Sequence, residues 1–156
     1  MTRMERKRVH KIRLLRSDVM KIYYAHHVWK YGTPIEDYEL ECIKKKFDSA
    51  EIINPRTSLP QDRPESVILQ SAYDTIKGCD ALVFSTVSGM IGHGVFNEIA
   101  VAVNHGIPIY QLEGNDCYKI ADADLKDIIF RGDNRVYALV HTPYEYQENR
   151  IGEQWD

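Results

Sequence analysis

One stretch of the chain, residues 79–111, constrains the fold more than any other. It begins with four consecutive apolar residues, 81–84, and a run without polar alternation is typical of a strand buried on both faces. A small, polar, glycine-rich segment follows, and from Val95 the apolar residues recur at helical spacing. Gly106 stands where a helix ends, and another apolar run comes next. The pattern predicts a βαβ unit whose glycine-rich loop lies at the carboxyl edge of a parallel sheet.

The rest of the chain repeats this alternation of strand and helix patterns. Thr33 as N-cap, followed by proline and then glutamate at the third helical position, marks the start of a helix that ends near Phe47. Because each crossover can hold a helix, we expect a three-layer, doubly wound α/β domain, flavodoxin-like or Rossmann-like, with a five-stranded parallel sheet in the order 2-1-3-4-5. The predicted strands are 20–25, 50–54, 81–84, 107–112 and 135–140, the other predicted helices are 65–77 and 121–130, and 56–64 and 113–116 are predicted as loop and turn.

The charge distribution separates the first residues from the rest. Residues 1–19 carry a net charge of +5 within a chain whose formal net charge is −3, so the remainder is acidic. We expect 1–19 to be a basic, poorly ordered leader, 20–142 to form a single α/β domain, and 143–156 to be a C-terminal tail. A basic arm could contact nucleic acid, but an acidic domain is poorly suited to gripping a phosphate backbone, so nucleic acid is not expected as a partner.

Cellular location and cofactors are predicted from what the chain lacks. It has no apolar run of membrane-spanning length, no secretory signal pattern, and an odd set of three cysteines without a C-x-x-C pair. We therefore expect a cytoplasmic protein without a membrane partner. No histidine, cysteine or carboxylate set has metal-ligand spacing, so neither a metal nor another cofactor is expected.

The glycine-rich loop carries the motif G-x-G-x-x-x-E, from Gly92 to Glu98. It is not the dinucleotide fingerprint, because Asn97 stands where the third glycine belongs. Glycines let backbone amides approach a sugar or phosphate, and a helix N-terminus favours negative charge. We expect Glu98 to lie in the first turn and to be held ionised there, a state that suits a nucleophile or a stabiliser of an oxocarbenium ion. The alternative is a glutamate that serves only the helix dipole.

In the strand order 2-1-3-4-5 the switch point lies between strands 1 and 3, where open α/β sheets bind ligands. That geometry brings the end of the first strand opposite the glycine-rich loop. Trp29 and Tyr31 could stack a base there or pack against the next helix, and the loop serines could instead bond their own backbone. The candidate substrate-binding residues are His26, Ser85, Ser88, Gly92, His93 and Gly94.

The strand YYA, the strand CDALVF and the segment GHGVFNEIAVAVNHGIPIY, in this order, resemble the nucleoside 2-deoxyribosyltransferase-like family over roughly residues 20–112. That family has a flavodoxin-like fold and cleaves the N-glycosidic bond of nucleosides or nucleotides. The resemblance implies that Glu98 is the nucleophile and forms a glycosyl-enzyme intermediate. It also implies that Tyr24 lies at the ligand. The family often has a second carboxylate in the preceding helix; that position falls on Ala72 here, and Asp74 is the nearby candidate.

The resemblance implies an enzyme that cleaves or transfers the glycosidic bond of a nucleoside or nucleoside 5′-monophosphate, assembled as a homodimer or larger homo-oligomer. A non-catalytic nucleotide-binding module of the same fold is an alternative, since Gly92 and Ala72 stand where the family usually has polar or acidic residues. A phosphoribohydrolase with a PGGxGTxxE loop is another, because Gly92, Gly94 and Glu98 also align with that loop.

Overall fold

The structure, a computed structural model, describes residues 19–87, 89 and 91–126. The predicted strand 135–140, the tail 143–156, Ser88 and all of the predicted leader except residue 19 lie outside the described residues.

A five-stranded sheet forms the centre of the described chain, and its order, β2-β1-β3-β4-β5, confirms the predicted 2-1-3-4-5. The first four strands are parallel, whereas β5 runs antiparallel to β4. The prediction of an all-parallel sheet was therefore wrong at this edge, where residues 116–119 form a strand that was not predicted. The predicted fifth strand, 135–140, stays a prediction because it lies outside the described residues. Gly114, with a φ of 63°, opens a two-residue turn that returns the chain directly alongside β4, so no crossover helix is needed. The strands are β1 (Lys21–Ala25), β2 (Glu51–Ile53), β3 (Ala81–Phe84), β4 (Ile109–Glu113) and β5 (Asp116–Lys119).

Helices cover both faces of this sheet, which confirms the three-layer architecture. The side chain of Thr33 caps the first helix, as predicted. The loop predicted over 56–64 was wrong at its start, because Asn54 caps a short helix that begins at Pro55. The helices are α1 (Pro34–Lys46), α2 (Pro55–Ser58), α3 (Glu65–Lys77), α4 (His93–Asn104) and α5 (Asp122–Lys126), and a 3₁₀ turn spans Val28–Lys30.

The central strand β1 is buried on both faces. Ile22 and Tyr24 pack with residues of α1 on one side of the sheet, whereas Tyr23 and Ala25 pack with residues of α3 and α4 on the other. All four side chains are completely buried. Successive side chains of a strand point to opposite faces, so the consecutive tyrosines enter different cores.

A network of buried polar groups lies on the α1 side of the sheet. The Lys30 ammonium donates to Glu39 Oε2 at 2.8 Å, to Ser85 Oγ at 2.9 Å and to the Thr86 carbonyl at 2.8 Å. Glu39 Oε1 accepts from the hydroxyls of Tyr24 at 2.5 Å and Ser85 at 2.7 Å. An ammonium has three donors, and here all three are used. The network fastens the turn after β1 to α1 and to the end of β3.

We predict that Lys30→Met lowers the free energy of unfolding by about 3 kcal/mol, because it leaves the buried Glu39 carboxylate without its cation. Urea denaturation measures the loss. Lys44→Met is the matched control, since the Lys44–Glu41 pair is 60% and 66% exposed and contributes little. Equal effects of the two substitutions would contradict a structural role for the buried network.

Candidate functional site

The carboxylate of Glu98 lies on the α3 and α4 side of the sheet, where it contacts a side chain of β1. Its Oε2 accepts a hydrogen bond of 2.5 Å from the Tyr23 hydroxyl. Its Oε1 has no hydrogen-bond partner among the residues that the structure describes. One oxygen is thus held in place by a buried tyrosine, and the other is available to a ligand.

Burial determines the protonation of Glu98. Helix α4 begins at His93, so Glu98 is its sixth residue and lies in the second turn. The helix dipole acts mainly within the first turn, and burial raises the pKa of Glu98 to about 7 although the Tyr23 hydrogen bond lowers it. The prediction that Glu98 is held ionised by the helix start was therefore wrong, because desolvation is the larger effect.

Space is open at Gly94, near the start of α4. Gly94 lies one turn before Glu98, and helical side chains lean back over the preceding turn. A Cβ atom at Gly94 would meet no atom within 4 Å, so nothing in the described chain fills this space. Gly92 is the N-cap and offers no side chain to the first amides of the helix. We refer to this space at the start of α4, next to the turn that holds Glu98, as the cleft.

Three tyrosines lie close enough to Glu98 for their pKa values to respond to its charge. Burial and the neighbouring Glu98 raise the pKa of Tyr31 to about 12, and the same two causes raise the pKa of Tyr73 and Tyr23. All three hydroxyls are therefore neutral near pH 7. Aromatic rings near a carboxylate of this kind could stack a base.

Another buried carboxylate, Glu36, lies in the first turn of α1 and close enough to Tyr31 to raise its pKa. It accepts hydrogen bonds from His26 Nε2 at 2.8 Å, from the amide of Gly32 at 3.1 Å and from Arg56 Nε at 2.7 Å. Burial alone would raise the pKa of Glu36, but these hydrogen bonds bring it below its usual value. Glu36 thus stays ionised and joins the turn after β1 to α2.

Two of the three candidate catalytic residues lie away from the cleft. Tyr24 points to the opposite face of the sheet, where it bonds Glu39, and Tyr23 occupies the place expected for it beside Glu98. Asp74 is exposed on α3, where its Oδ1 accepts from Gln70 at 3.0 Å and lies 3.7 Å from the Lys77 ammonium. The structure therefore brings Glu98 together with Tyr23, and not with Tyr24 or Asp74.

The candidate substrate-binding residues divide into two groups. His26 is buried, and its ring stacks on Tyr24 at 3.7 Å and contacts Glu36. It therefore helps to hold the Glu36 side chain in place. Ser85 is buried in the Lys30 network and does not face the cleft. Gly92, His93 and Gly94 form the start of α4, where His93 and Gly94 are exposed, whereas Ser88 lies outside the described residues.

The sequence reasoning missed Tyr23, Tyr73, Glu36 and Arg56 as members of this region. Strand alternation indicates that Glu98 shares a face with only one of the two adjacent tyrosines, but it does not indicate which one. Tyr73 precedes Asp74 and faces the core. The other two residues meet only through the fold, since 20 positions separate them in the sequence.

Removing the Tyr23 hydroxyl is predicted to raise the pKa of Glu98 above about 7, because a hydrogen bond donated to a carboxylate favours its ionised form. Carboxyl-carbon NMR of Tyr23→Phe measures the change. Tyr24→Phe is the control, since it removes the neighbouring hydroxyl on the opposite face of the sheet. A pKa that moves in neither variant, or equally in both, would contradict the Tyr23–Glu98 contact.

Over the described residues, each helix is too short or too polar to cross a bilayer, and no three histidine, cysteine or carboxylate side chains are grouped to hold a metal ion. No family model and no curated protein matches the chain. It is similar to a solved structure, the crystal structure of a conserved protein from Enterococcus faecalis V583, with 20% sequence identity, a TM-score of 0.52 and coverage of 80% of each chain. At this identity the similarity shows a shared fold.

Proposed function

We propose that this protein cleaves or transfers the N-glycosidic bond of a nucleoside or nucleoside 5′-monophosphate, with Glu98 as the nucleophile. The observation that carries the proposal is the Glu98 carboxylate itself, with one oxygen fixed by Tyr23, the other without a partner among the described residues, and open space at Gly94 one helical turn earlier. The resemblance of the surrounding motif to the nucleoside 2-deoxyribosyltransferase-like family supports the same chemistry.

The proposed reaction has two displacements at the anomeric carbon. Glu98 Oε1 attacks C1′ as the bond from C1′ to the base nitrogen breaks, and the electron pair leaves with the base, which takes up a proton. The sugar is then bound to Glu98 as an ester. Water, or the nitrogen of a second base, attacks C1′ and releases the carboxylate. Hydrolysis and transfer differ only in this second nucleophile.

The surroundings of Glu98 suit a transition state with positive charge on the sugar. A carboxylate in a partly buried site interacts with that charge more strongly than it would in water. Its raised pKa makes the ionised form more basic, which favours attack on carbon. The Tyr23 hydroxyl holds the carboxylate in one orientation, so less reorganisation is needed during the reaction.

The base would lie against the tyrosines that line the cleft. Tyr31 and Tyr73 are partly buried, neutral and close enough to respond to the charge of Glu98. Aromatic rings bind any base through its flat face. This arrangement supports a nucleoside or nucleotide as the ligand and leaves the identity of the base open.

A homodimer or larger homo-oligomer in the cytoplasm remains our prediction for the working form. Exposed apolar side chains support the assembly: Val28, Ile35 and Tyr38 are each more than half exposed, on the turn after β1 and the first part of α1. A neighbouring subunit could cover them and close the cleft from that side.

Replacement of Glu98 by glutamine is expected to reduce glycosidic cleavage by several orders of magnitude while ligand binding survives, because the side chain keeps its shape and loses its charge. Free base released from a panel of nucleosides and 5′-monophosphates measures turnover, and calorimetry measures binding. Asp74→Asn is the control, since this carboxylate is exposed and away from the cleft.

The same experiment separates the enzyme from a binding module. A binding module would retain its ligand in the wild type and release no base from any member of the panel. Turnover that persists in Glu98→Gln would exclude Glu98 as the nucleophile.

The pH dependence of kcat/KM should report the ionisation of Glu98. Only the ionised carboxylate can attack carbon, so kcat/KM should fall about tenfold per pH unit below a pKa of about 7. Because Tyr23→Phe raises that pKa, it should move this acidic limb to higher pH. A profile that stays flat from about pH 5 to 8 would contradict the assignment.

A further inference from the structure

The guanidinium of Arg56 is only partly used by the protein. Its Nε donates to Glu36 Oε1 at 2.7 Å, and its side chain is 36% exposed. A guanidinium carries five N–H donors, and those on the two terminal nitrogens have no partner among the residues that the structure describes. Glu36 thus holds the guanidinium of Arg56 through Nε, and the donors on its two terminal nitrogens stay available to a ligand.

The backbone of Arg56 is fixed. The side-chain oxygen of Asn54 accepts from the Arg56 amide at 3.0 Å, and Pro55 is buried at the first position of α2. The amides of Thr57 and Ser58 donate to the Asn54 carbonyl at 3.0 and 2.8 Å. The turn after β2 therefore positions Arg56 at the carboxyl edge of the sheet, where the Glu98 cleft also lies.

Tyr31 connects Arg56 with that cleft. The ring of His26, which bonds the same Glu36 as Arg56, lies 5.0 Å from the ring of Tyr31. The pKa of Tyr31, which burial raises most, is raised further by Glu98 and then by Glu36, and is lowered by Arg56. Tyr31 is therefore close enough to Glu98 and to the Glu36–Arg56 pair to respond to the charges of all three.

We propose that Arg56 binds the 5′-phosphate of the substrate, so that the site selects nucleoside 5′-monophosphates over nucleosides. This inference rests on the proposed function and names its substrate class. A guanidinium with two parallel free donors matches two phosphate oxygens, which a single ammonium does not. A nucleoside 5′-monophosphate carries its anomeric carbon and its phosphate at separate points of one sugar. In this proposal Glu98 attacks the anomeric carbon, and Arg56 binds the phosphate.

Binding tests this proposal without requiring turnover. Calorimetry compares nucleosides with their 5′-monophosphates, and with inorganic phosphate alone, on the wild type, Arg56→Gln, Arg56→Lys and Lys44→Gln. We expect the wild type to bind the monophosphates at least about tenfold more tightly than the nucleosides. Arg56→Gln should remove this preference and leave nucleoside affinity unchanged, Arg56→Lys should keep part of it, and Lys44→Gln should keep all of it.

The outcomes separate this inference from the proposed function. A preference that depends on Arg56, in a protein that releases no base, supports the phosphate site and overturns the glycosidase. Base release with equal affinity for nucleosides and monophosphates supports the glycosidase and overturns the phosphate site. A loss of affinity for both classes in Arg56→Gln would overturn the phosphate site in favour of a structural role, and thermal unfolding of the variant would show that role directly. Binding of neither class overturns the phosphate site.

Discussion

The strand at the centre of the sheet carries two consecutive tyrosines, and a buried tyrosine hydroxyl must find an acceptor. Tyr23 and Tyr24 point to opposite faces, so the requirement arises twice, once in each core. Glu98 on α4 meets it on one side, and Glu39 on α1 meets it on the other, each at 2.5 Å. These two carboxylates are therefore both anchored by side chains of one strand.

The two carboxylates differ in what else they contact. Glu39 accepts from Lys30 and Ser85 as well, so its charge is balanced and both oxygens are bonded. Glu98 has Tyr23 as its hydrogen-bond partner and one oxygen without a partner in the described chain. A partly buried carboxylate without a cation is costly, and such groups are concentrated at functional sites. The carboxylate on the α1 side of the sheet is therefore fully paired, whereas the one on the α3 and α4 side keeps an oxygen without a partner in the described chain.

The order of strands and most helix boundaries could be predicted from apolar periodicity. The candidate functional residues could not, because their roles depend on contacts that periodicity does not show. Both faces of β1 are buried, so no polar alternation indicates which tyrosine faces α4, and a shift of one residue exchanges the faces. The prediction of Asp74 as a catalytic residue also depended on which face of a helix is buried. Ala72 and Ile76 define the buried face of α3, and Asp74 lies off that face. Arg56 lies beside Glu36 only because the ends of β1 and β2 are adjacent.

The protonation of Glu98 shows how two effects of position compete. A helix N-terminus stabilises a carboxylate by about 0.3–1 kcal/mol, and only within its first turn. A pKa raised from 4.5 to about 7 corresponds to about 3 kcal/mol against the charged form, so burial prevails at the sixth residue of α4. Near neutral pH the two forms are then balanced. A positive charge placed beside Glu98 would shift this balance toward the ionised carboxylate, because an opposite charge nearby favours the charged form.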